Sequence, residues 1–410
     1  MTSCDVTSGV RQRYSKAAKH REDALCCPVD YDARYLKAIP QEVIDRDYGC
    51  GDPSRHLHEG ETVLDLGCGG GKICFIASQV VGPHGRVIGV DMNDDMLELA
   101  RRSAPQVARS IGYDNVEFRK GKIQDLAVDR AQIGQYLHDH PVRDEASLQA
   151  LETLISEMRR EHPMIADGSV DAVVSNCVLN LVDTDDKELL FDELFRVLRP
   201  GGRAVISDIV SDMAVPHHLQ ADPELWSGCL AGAFELEAFF EAFEQAGLID
   251  VRLDDLQSRP WRIVEGISFR SATVIAYRPT DVAEGTGETS QCDDEERAGQ
   301  SPPTQTPDRI YRGPFRYAVD DQGVMFTRGQ LCRDAAAVAA ARPSLADQFL
   351  SMDGSPATDN RSADSSDHPA AEAIDSPEQT ASLQPNHPGQ STGRSLPTAG
   401  GGCCGDQGCC

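Results

Sequence analysis

The sequence predicts a doubly wound α/β domain in which the strands of a mainly parallel sheet alternate with helices. Three observations support this fold class. An apolar run at residues 63–66 is followed by a glycine-rich turn and a helical segment at residues 72–80. A second strand, residues 85–91, lies about twenty residues further on and ends in an acid. Strand-like and helix-like segments then keep alternating as far as residue 277.

The remaining elements follow in order along the chain. Predicted helices cover residues 10–18, 94–108, 147–160, 185–198 and 235–246, and predicted strands cover residues 116–119, 171–175, 203–208, 250–256 and 267–277. A polar stretch at residues 127–164 interrupts the alternation, so the helix inside it is expected to be an insertion on the surface. A segment at residues 211–233 breaks the pattern again and is predicted to form a lid over the carboxyl edge of the sheet.

These elements divide the chain into four parts. Residues 1–60 form a cysteine-bearing segment, and residues 61–210 form the α/β domain with its insertion at about 127–164. The lid and the closing strands occupy residues 211–280. An acidic tail, residues 281–410, is rich in Pro, Ser, Thr, Gly, Asp and Glu and is expected to be largely disordered, with a small folded island at about 309–350 and a cysteine-rich end.

Composition excludes several classes of partner. The net charge of −27 argues against nucleic acid, because proteins bind polyanions through clustered Lys and Arg. The amino terminus has no apolar leader, and no run of eighteen apolar residues is present, so we expect a cytoplasmic protein without a membrane partner. Fourteen cysteines in that compartment predict buried, redox-active or soft-metal thiols rather than a fixed disulfide framework.

The glycine-rich turn is typical of a nucleotide-like cofactor site. The acid that ends the second strand, Asp91, can accept both hydroxyls of a ribose, and Met92 beside it offers an apolar platform for adenine. The turn lacks the basic side chain of a phosphate cradle, and Asp65 would repel a pyrophosphate, so a cofactor without phosphates fits better.

The motif D-L-G-x-G-x-G, together with this acid, resembles the class I S-adenosylmethionine-dependent methyltransferases. The resemblance implies a Rossmann-like sheet closed by an antiparallel strand, and S-adenosylmethionine as the methyl donor. The residues expected to line the cofactor are Asp65, Gly67, Gly69, Asp91, Met92, Ile123 and Asn176.

Two cysteines are expected at the carboxyl edge of the sheet. Cys177 follows the predicted fourth strand, and Cys229 lies in the predicted lid that faces it. Either residue taken alone is more often a small buried hydrophobe, but a pair of thiolates in a cleft selects soft centres such as Cu(I), Zn(II) or As(III). Trivalent arsenic keeps a lone pair after binding three sulfurs, so it can attack a sulfonium methyl group without a general base.

Longer motifs sharpen the resemblance. Residues 48–51, 173–182 and 225–230 are similar to the signature segments of arsenite S-adenosylmethionine methyltransferases, and the likeness covers about residues 10–280. The family resemblance implies that arsenite and methylarsenite are the substrates. It also implies that Cys177 and Cys229 hold the trivalent arsenic.

The same resemblance implies a disulfide relay. Cys50 would pair with Cys26 or Cys27 as arsenic is oxidised by methylation, and exchange with Cys177 or Cys229 would follow. Thioredoxin or a small thiol reductant would then restore the thiols. The family pattern has one cysteine in the first loop where this chain has two, so the choice between Cys26 and Cys27 stays open.

Two other functions fit parts of the sequence. A methyltransferase acting on a small organic metabolite would keep the cofactor site and make the cysteines structural. It is expected to carry a general base near Asn176, where the sequence offers no clear one. A soft-metal binding protein would instead use the cysteine pairs at 403–404 and 409–410, whose flexible spacing is not that of a closed zinc site.

Overall fold

The structure of the chain, a computed structural model, describes residues 3–22, 25, 29–280, 309–313, 316–319, 325–329, 331–332 and 349–351. Cys26 and Cys27 lie outside the described residues, as do the predicted disordered tail and its cysteine-rich end. Predictions that concern these parts of the chain therefore stay predictions.

Nine strands form the sheet that organises the domain. They are β1 (Thr62–Leu66), β2 (Arg86–Asp91), β3 (Val116–Lys120), β4 (Val170–Asn176), β5 (Leu198–Ser211), β6 (Phe234–Glu235), β7 (Ile249–Leu256), β8 (Arg262–Val264) and β9 (Ile267–Tyr277). The main order is β3-β2-β1-β4-β5-β9-β7, with β6 beside β5 and β8 beside β9. Strands β1 to β5 pair in parallel, whereas β9 is antiparallel to both β5 and β7. The predicted fold class, with its antiparallel closing strand, is confirmed.

The strand order reverses between β1 and β4, and this reversal positions the site. From β1 the chain moves outward to β2 and β3, then crosses back to β4 on the other side of β1. Helices that leave the carboxyl ends of β1 and β4 depart in opposite directions at such a point. A crevice for a ligand therefore opens above these two strand ends.

Helices cover both faces of the sheet. They are α1 (Ser3–Ala17), α2 (Ala33–Leu36), α3 (Gln41–Asp45), α4 (Lys72–Val81), α5 (Asp94–Ile111), α6 (Arg130–Asp139), α7 (Glu145–Glu161), α8 (Lys187–Val197), α9 (His217–Gln220), α10 (Pro223–Ser227) and α11 (Leu236–Gln245). Single 3₁₀ turns occur at Pro53–His56, Leu179–Leu181 and Thr184–Asp186. The insertion contains two helices, α6 and α7, where the sequence predicted one. Helix α6 was missed because its sequence has almost no apolar stripe and buries one side chain, that of Ile133.

The apolar residues of β1 explain why both faces are covered. Val63 faces one hydrophobic cluster, which includes Phe75 of α4, whereas Leu64 and Leu66 face the other, which includes Phe191 of α8. All three β1 side chains are fully buried. Burial of each contributes about 1.5–3 kcal/mol, so the two layers hold the central strand, and with it the crevice, in place.

Part of the tail island packs on the outer side of the domain. It contains β10 (Arg309–Tyr311), β11 (Tyr317–Val319), β12 (Met325–Thr327), β13 (Leu331–Cys332) and β14 (Phe349–Ser351). The Leu253 amide of β7 donates to the Arg312 carbonyl at 2.9 Å, and Arg312 pairs with Asp254 at 2.6 Å. The buried Arg328 guanidinium pairs with Glu244 of α11 at 2.7 Å. Among the described helices, none combines the length and the apolar character needed to cross a membrane.

Candidate active site

A cleft opens above the carboxyl ends of β1, β2 and β4. All seven residues predicted to contact the cofactor line it: Asp65, Gly67, Gly69, Asp91, Met92, Ile123 and Asn176. Cys177 lines the same cleft, so the predicted donor and acceptor regions share one space. The assignment of individual residues to cofactor contacts stays a prediction.

The turn after β1 needs glycine for conformation and for space. Gly67 and Gly69 have φ values of +68° and +50°, in the left-handed region that side chains disfavour. A Cβ at Gly67 would overlap the side chain of Val178, which follows β4. The amides of Gly67 and Cys68 both donate to the Val90 carbonyl, at 2.8 and 3.0 Å, which ties the turn to the end of β2.

Two carboxyl groups face the cofactor part of the cleft. Asp91 accepts hydrogen bonds from the amides of Gly69, at 2.9 Å, and Asn93, at 2.8 Å, and burial raises its pKa. Burial raises the pKa of Asp65 to about 7, and the Cys74 thiol donates to it at 3.1 Å. Asp91 is therefore held rigidly at the position expected for a diol, whereas Asp65 lies deeper, beneath the turn.

Helix α1 forms a wall of the cleft that sequence reasoning did not assign to the site. Thr7, Val10, Arg11 and Tyr14 all line it. Arg11 pairs with Asp94 at the start of α5 at 3.0 Å. On its other side, Arg13 donates to Ser227 Oγ of α10 at 2.9 Å. A predicted helix without a recognisable motif carried no signal for this role.

Three cysteines from distant parts of the chain meet beside the cleft. Cys50 and Cys177, 127 residues apart in sequence, are joined by a disulfide with a Cα–Cα distance of 5.9 Å. The Cys229 Sγ donates to the Cys177 carbonyl at 3.3 Å. All three belong to one hydrophobic cluster with Ile209 and Phe269, and each is 5–6% exposed. The structure thus brings together the two cysteines predicted to hold arsenic and one predicted for the relay.

The disulfide differs from the pairing implied by the family resemblance. Cys50 is joined to Cys177, not to Cys26 or Cys27, which lie outside the described residues. Sequence separation could not reveal this contact, because it depends on where the loop before β1 crosses the end of β4. Both pairings use the Cys50 sulfur. Thiol–disulfide exchange at this sulfur converts one pairing into the other, so both fit one relay.

Backbone strain marks the two cysteines that are predicted to hold arsenic. Among the described residues, four other than glycine have a positive φ, and two of these are Cys177 at +60° and Cys229 at +63°. Such conformations cost of the order of 1–3 kcal/mol each and persist where surrounding contacts enforce them. At Cys177 the enforcing contacts include its own amide, which donates to the Ser207 carbonyl at 2.8 Å.

The side chain of Asn176 positions Cys50. Its Oδ1 accepts from the amides of Cys50 and Gly51, at 2.7 and 3.1 Å, and its Nδ2 donates to the Gly51 carbonyl at 2.7 Å. The Ser271 hydroxyl donates to the Cys50 carbonyl at 2.6 Å. A Cβ at Gly49 would overlap the Asn176 amide, so the loop lies directly against the end of β4.

A buried carboxyl group, Asp208, also lies beside the disulfide. One of its oxygens and the two sulfurs of Cys50 and Cys177 all lie within 4.8 Å of one another. Asp208 is one residue beyond Ser207, the cross-strand partner of Asn176. Burial raises its pKa to about 6, against the opposing effect of backbone amides that donate to it. The sequence placed no candidate acid here, because Asp208 read as the ordinary end of a strand.

Several other thiol, imidazole and indole side chains of the domain take structural positions. Cys68 and Cys74 are buried, and burial raises the pKa of Cys68 to about 11, which suits packing rather than nucleophilic chemistry. His218 pairs with Glu265 at 2.7 Å, and both side chains are exposed. Trp226 is buried against Val10 of α1 and Ala231, in the core of the lid.

Comparisons with known proteins agree with the fold. A family model described as a methyltransferase domain matches residues 57–147 and 143–247. The arsenite methyltransferase of Halobacterium salinarum is 34% identical over 268 residues, which cover 60% of this chain and 57% of that protein. The arsenite methyltransferase of Aquipseudomonas alcaligenes is 34% identical over 251 residues, which cover 60% of this chain and 62% of that protein.

A solved structure is also similar. The arsenic(III) S-adenosylmethionine methyltransferase of Chlamydomonas reinhardtii is 26% identical, with a TM-score of 0.49, and the match covers 79% of this chain and 96% of that one. The present chain spans 57% and 62% of the two curated relatives described above, which is less than two thirds of either.

The sheet with its antiparallel β9, and the glycine turn with its acid, are those of the class I methyltransferase fold, for which S-adenosylmethionine is the methyl donor. This confirms the predicted class and cofactor. Within the class, the chain is similar to arsenite methyltransferases over about 60% of its length.

Proposed function

We propose that this protein transfers a methyl group from S-adenosylmethionine to trivalent arsenic held by cysteine thiolates, and that it serves arsenic detoxification. One observation carries the proposal. Cys50, Cys177 and Cys229 come from three separate segments and meet in one buried cluster beside the cofactor cleft. Thiolates select soft centres, and three of them suffice to hold As(III).

The first step needs no general base. The arsenic lone pair forms the As–C bond while the S–C bond of the sulfonium breaks, and the cofactor leaves as S-adenosylhomocysteine. Arsenic is thereby oxidised from +3 to +5. The contribution of the protein is to place the two reacting atoms close together in line, away from water. Cys177 is suited to this because it lines the cofactor cleft and is itself buried.

The second step returns arsenic to the trivalent state. Two thiolates supply two electrons and join as a disulfide, and arsenic is reduced from +5 to +3. The Cys50–Cys177 disulfide has the composition of the product of this step. A dithiol such as thioredoxin, or a small thiol reductant, would then reduce it by exchange. Methylarsenite released from the thiols can be a substrate for another round.

A metabolite methyltransferase is the main competing function. Its required base would be Asp208, the carboxyl group nearest the acceptor region. Both Asp208 oxygens already accept hydrogen bonds: Oδ2 accepts from the Leu179 amide at 2.8 Å, and Oδ1 from the Ile209 amide at 2.7 Å. An acceptor so engaged is a poor base for an incoming hydroxyl or amine.

The test is transfer of labelled methyl from S-adenosylmethionine to arsenite, in the presence of a thiol reductant. We expect methylated arsenic from the parent and a loss of at least about 100-fold in Cys177→Ser and in Cys229→Ser, because each removes a ligand of the nucleophile. Cys74→Ser, the same substitution at a buried cysteine outside the cluster, keeps a donor to Asp65 and is the matched control, which should retain transfer per folded molecule. Cofactor binding without methylated arsenic from the parent would refute the proposed function.

A further inference from the structure

We propose that the buried carboxylate of Asp208 stabilises the positive charge that methyl transfer delivers to arsenic. This inference rests on the proposed function and extends it to a residue outside the cysteine set. Three kinds of observation support it: the distance of Asp208 from the sulfurs, the contacts that keep it an anion, and the direction in which charge moves in the reaction.

The distance favours a strong interaction. An Asp208 oxygen lies within 4.8 Å of both the Cys50 and the Cys177 sulfur, and the side chain is 1% exposed. An arsenic atom bound to Cys177 would therefore lie in the field of this carboxylate with little water between them. Charges at such separations interact far more strongly in a buried site than in water.

Four hydrogen bonds reach the carboxylate. Three come from backbone amides and one comes from a side-chain amide. Oδ2 accepts from the amides of Leu179 and Asn180, at 2.8 and 3.3 Å. Oδ1 accepts from the amide of Ile209 and from the Asn180 side chain, at 2.7 and 2.8 Å. Four donors favour the ionised form and fix its orientation, so the negative charge is present before the reaction begins.

The charged and titratable groups around this anion include one buried cation. Lys187 of α8 faces it, and the Lys187 ammonium also donates to the Gly232 carbonyl and lies 3.9 Å from the centre of the Phe234 ring. Tyr14 of α1 interacts with Asp208 as well, and the cysteines of the cluster lie beside it. Lys187 offsets part of the negative charge, and neither a phenol nor a thiol supplies positive charge, so a cation that forms on arsenic would still be attracted to Asp208.

Charge moves toward Asp208 during the reaction. The sulfonium of the cofactor carries one positive charge before transfer, and the methylated arsenic carries it afterwards, since the arsenic lone pair has become the new As–C bond. No proton and no further electron takes part in this step. A fixed anion beside arsenic is therefore more favourable in the transition state than in the ground state, which is the condition for catalysis.

A structural role for Asp208 would predict a different result. Its hydrogen bonds to residues 179 and 180 also hold the turn that follows Cys177, so a variant could act by displacing that cysteine. Displacement would weaken arsenic binding. Loss of charge alone would slow methyl transfer from a complex that still forms.

The experiment measures the two quantities separately, in the reduced full-length protein. Arsenite binding is measured by equilibrium dialysis, and methyl transfer is measured in a single turnover at saturating arsenite and labelled S-adenosylmethionine. For Asp208→Asn, which keeps the shape and one acceptor, we expect the single-turnover rate to fall about tenfold or more while the arsenite Kd stays within about twofold. Should the amide variant fail to fold, Asp208→Ser provides a neutral side chain with space for water, and the same result is expected.

Ser271→Ala is the matched control for a displaced cysteine. It removes the hydroxyl that donates to the Cys50 carbonyl, but leaves the Asp208 carboxylate and its four donors in place. We expect weaker arsenite binding and an unchanged transfer rate from the bound complex. A normal transfer rate in the Asp208 variants, or a rate that recovers fully at saturating arsenite with a raised Kd, would overturn the inference while leaving the proposed function intact. Absence of transfer by the parent would instead refute the proposed function.

Discussion

The two ends of the cleft are built in different ways. At the cofactor end, the glycine turn and Asp91 come from two consecutive βα units, and Asp91 is held by amides within 22 residues of it in sequence. At the acceptor end, Cys50, Cys177 and Cys229 are drawn from segments that are 127 and 52 residues apart. The glycine turn and Asp91 are thus close in sequence, and the left-handed backbone positions of the turn are occupied by glycine. The acceptor end is assembled over long range, and two of its cysteines have strained, left-handed backbones.

The difference teaches where each function can be altered. A local motif can change with little effect on the rest of the sheet, because its hydrogen bonds close within two consecutive βα units. An assembled cluster depends on every segment that reaches it, including the Cys50 loop, β4 and the lid. Substitutions at the two ends should therefore separate cofactor binding, acceptor chemistry and stability.

The largest expected effect tests whether the cofactor end acts alone. Asp91→Asn removes the charge from the position predicted to accept a diol, and hydrogen bonds to charged groups contribute about 1.5–3 kcal/mol each. We expect the affinity for S-adenosylmethionine to fall about 10- to 100-fold, measured by titration calorimetry. Arsenite binding by the reduced protein should be unchanged. An equal loss of both affinities would break the separation between the two ends.

A second variant tests the long-range construction of the acceptor end. Gly51→Ala would place a Cβ 2.6 Å from the Ser207 Cβ, and overpacking of this kind costs about 1–3 kcal/mol. We expect a lower free energy of unfolding in urea and a displaced Cys50. Gly134→Ala, in α6 with nothing within 4 Å of the added Cβ, is the control, and it should stabilise the protein by about 0.5–1 kcal/mol. Equal stability of Gly51→Ala and the parent would contradict the tight packing of this loop.

The smallest effect concerns the buried carboxyl beneath the cofactor end. The pKa of Asp65 is raised to about 7, so between about pH 4 and pH 7 the folded state binds more protons than the unfolded state. This contribution to stability is complete below about pH 4 and is lost as pH rises through 7. Between pH 6 and pH 8 the parent should therefore lose about 1 kcal/mol of unfolding free energy relative to Asp65→Asn, whose amide does not titrate. The check is urea unfolding of both proteins at several pH values; a constant difference would contradict the raised pKa.

Sequence reasoning predicted most of the fold, and it predicted which residues of the β1 turn and of β2 line one end of the cleft. The β1 turn, the acid of β2 and the closing strands could be predicted because each has a local pattern of apolar, glycine and acidic residues. Cys177 and Cys229 could be predicted to face each other once the fold was assumed. Their left-handed backbones could not, because cysteine gives no signal for that conformation.

The features that were missed depend on contacts between distant segments. The Cys50–Cys177 pairing follows from the hydrogen bonds of Asn176 to the Cys50 loop, and the position of Asp208 follows from its register beside β4. The contribution of α1 to the cleft follows from Arg11 and Arg13, whose partners lie on α5 and α10. None of these partners is adjacent in sequence, so no pattern of spacing predicts them.

One amide, that of Asn176, belongs to both ends of the cleft. It lines the cofactor space and carries the hydrogen bonds that hold the Cys50 loop. Two equilibria that share a side chain are thermodynamically linked, and the coupling free energy is the same in both directions. If cofactor binding favours reduction of the Cys50–Cys177 disulfide by a given free energy, reduction of that disulfide must strengthen cofactor binding by the same free energy.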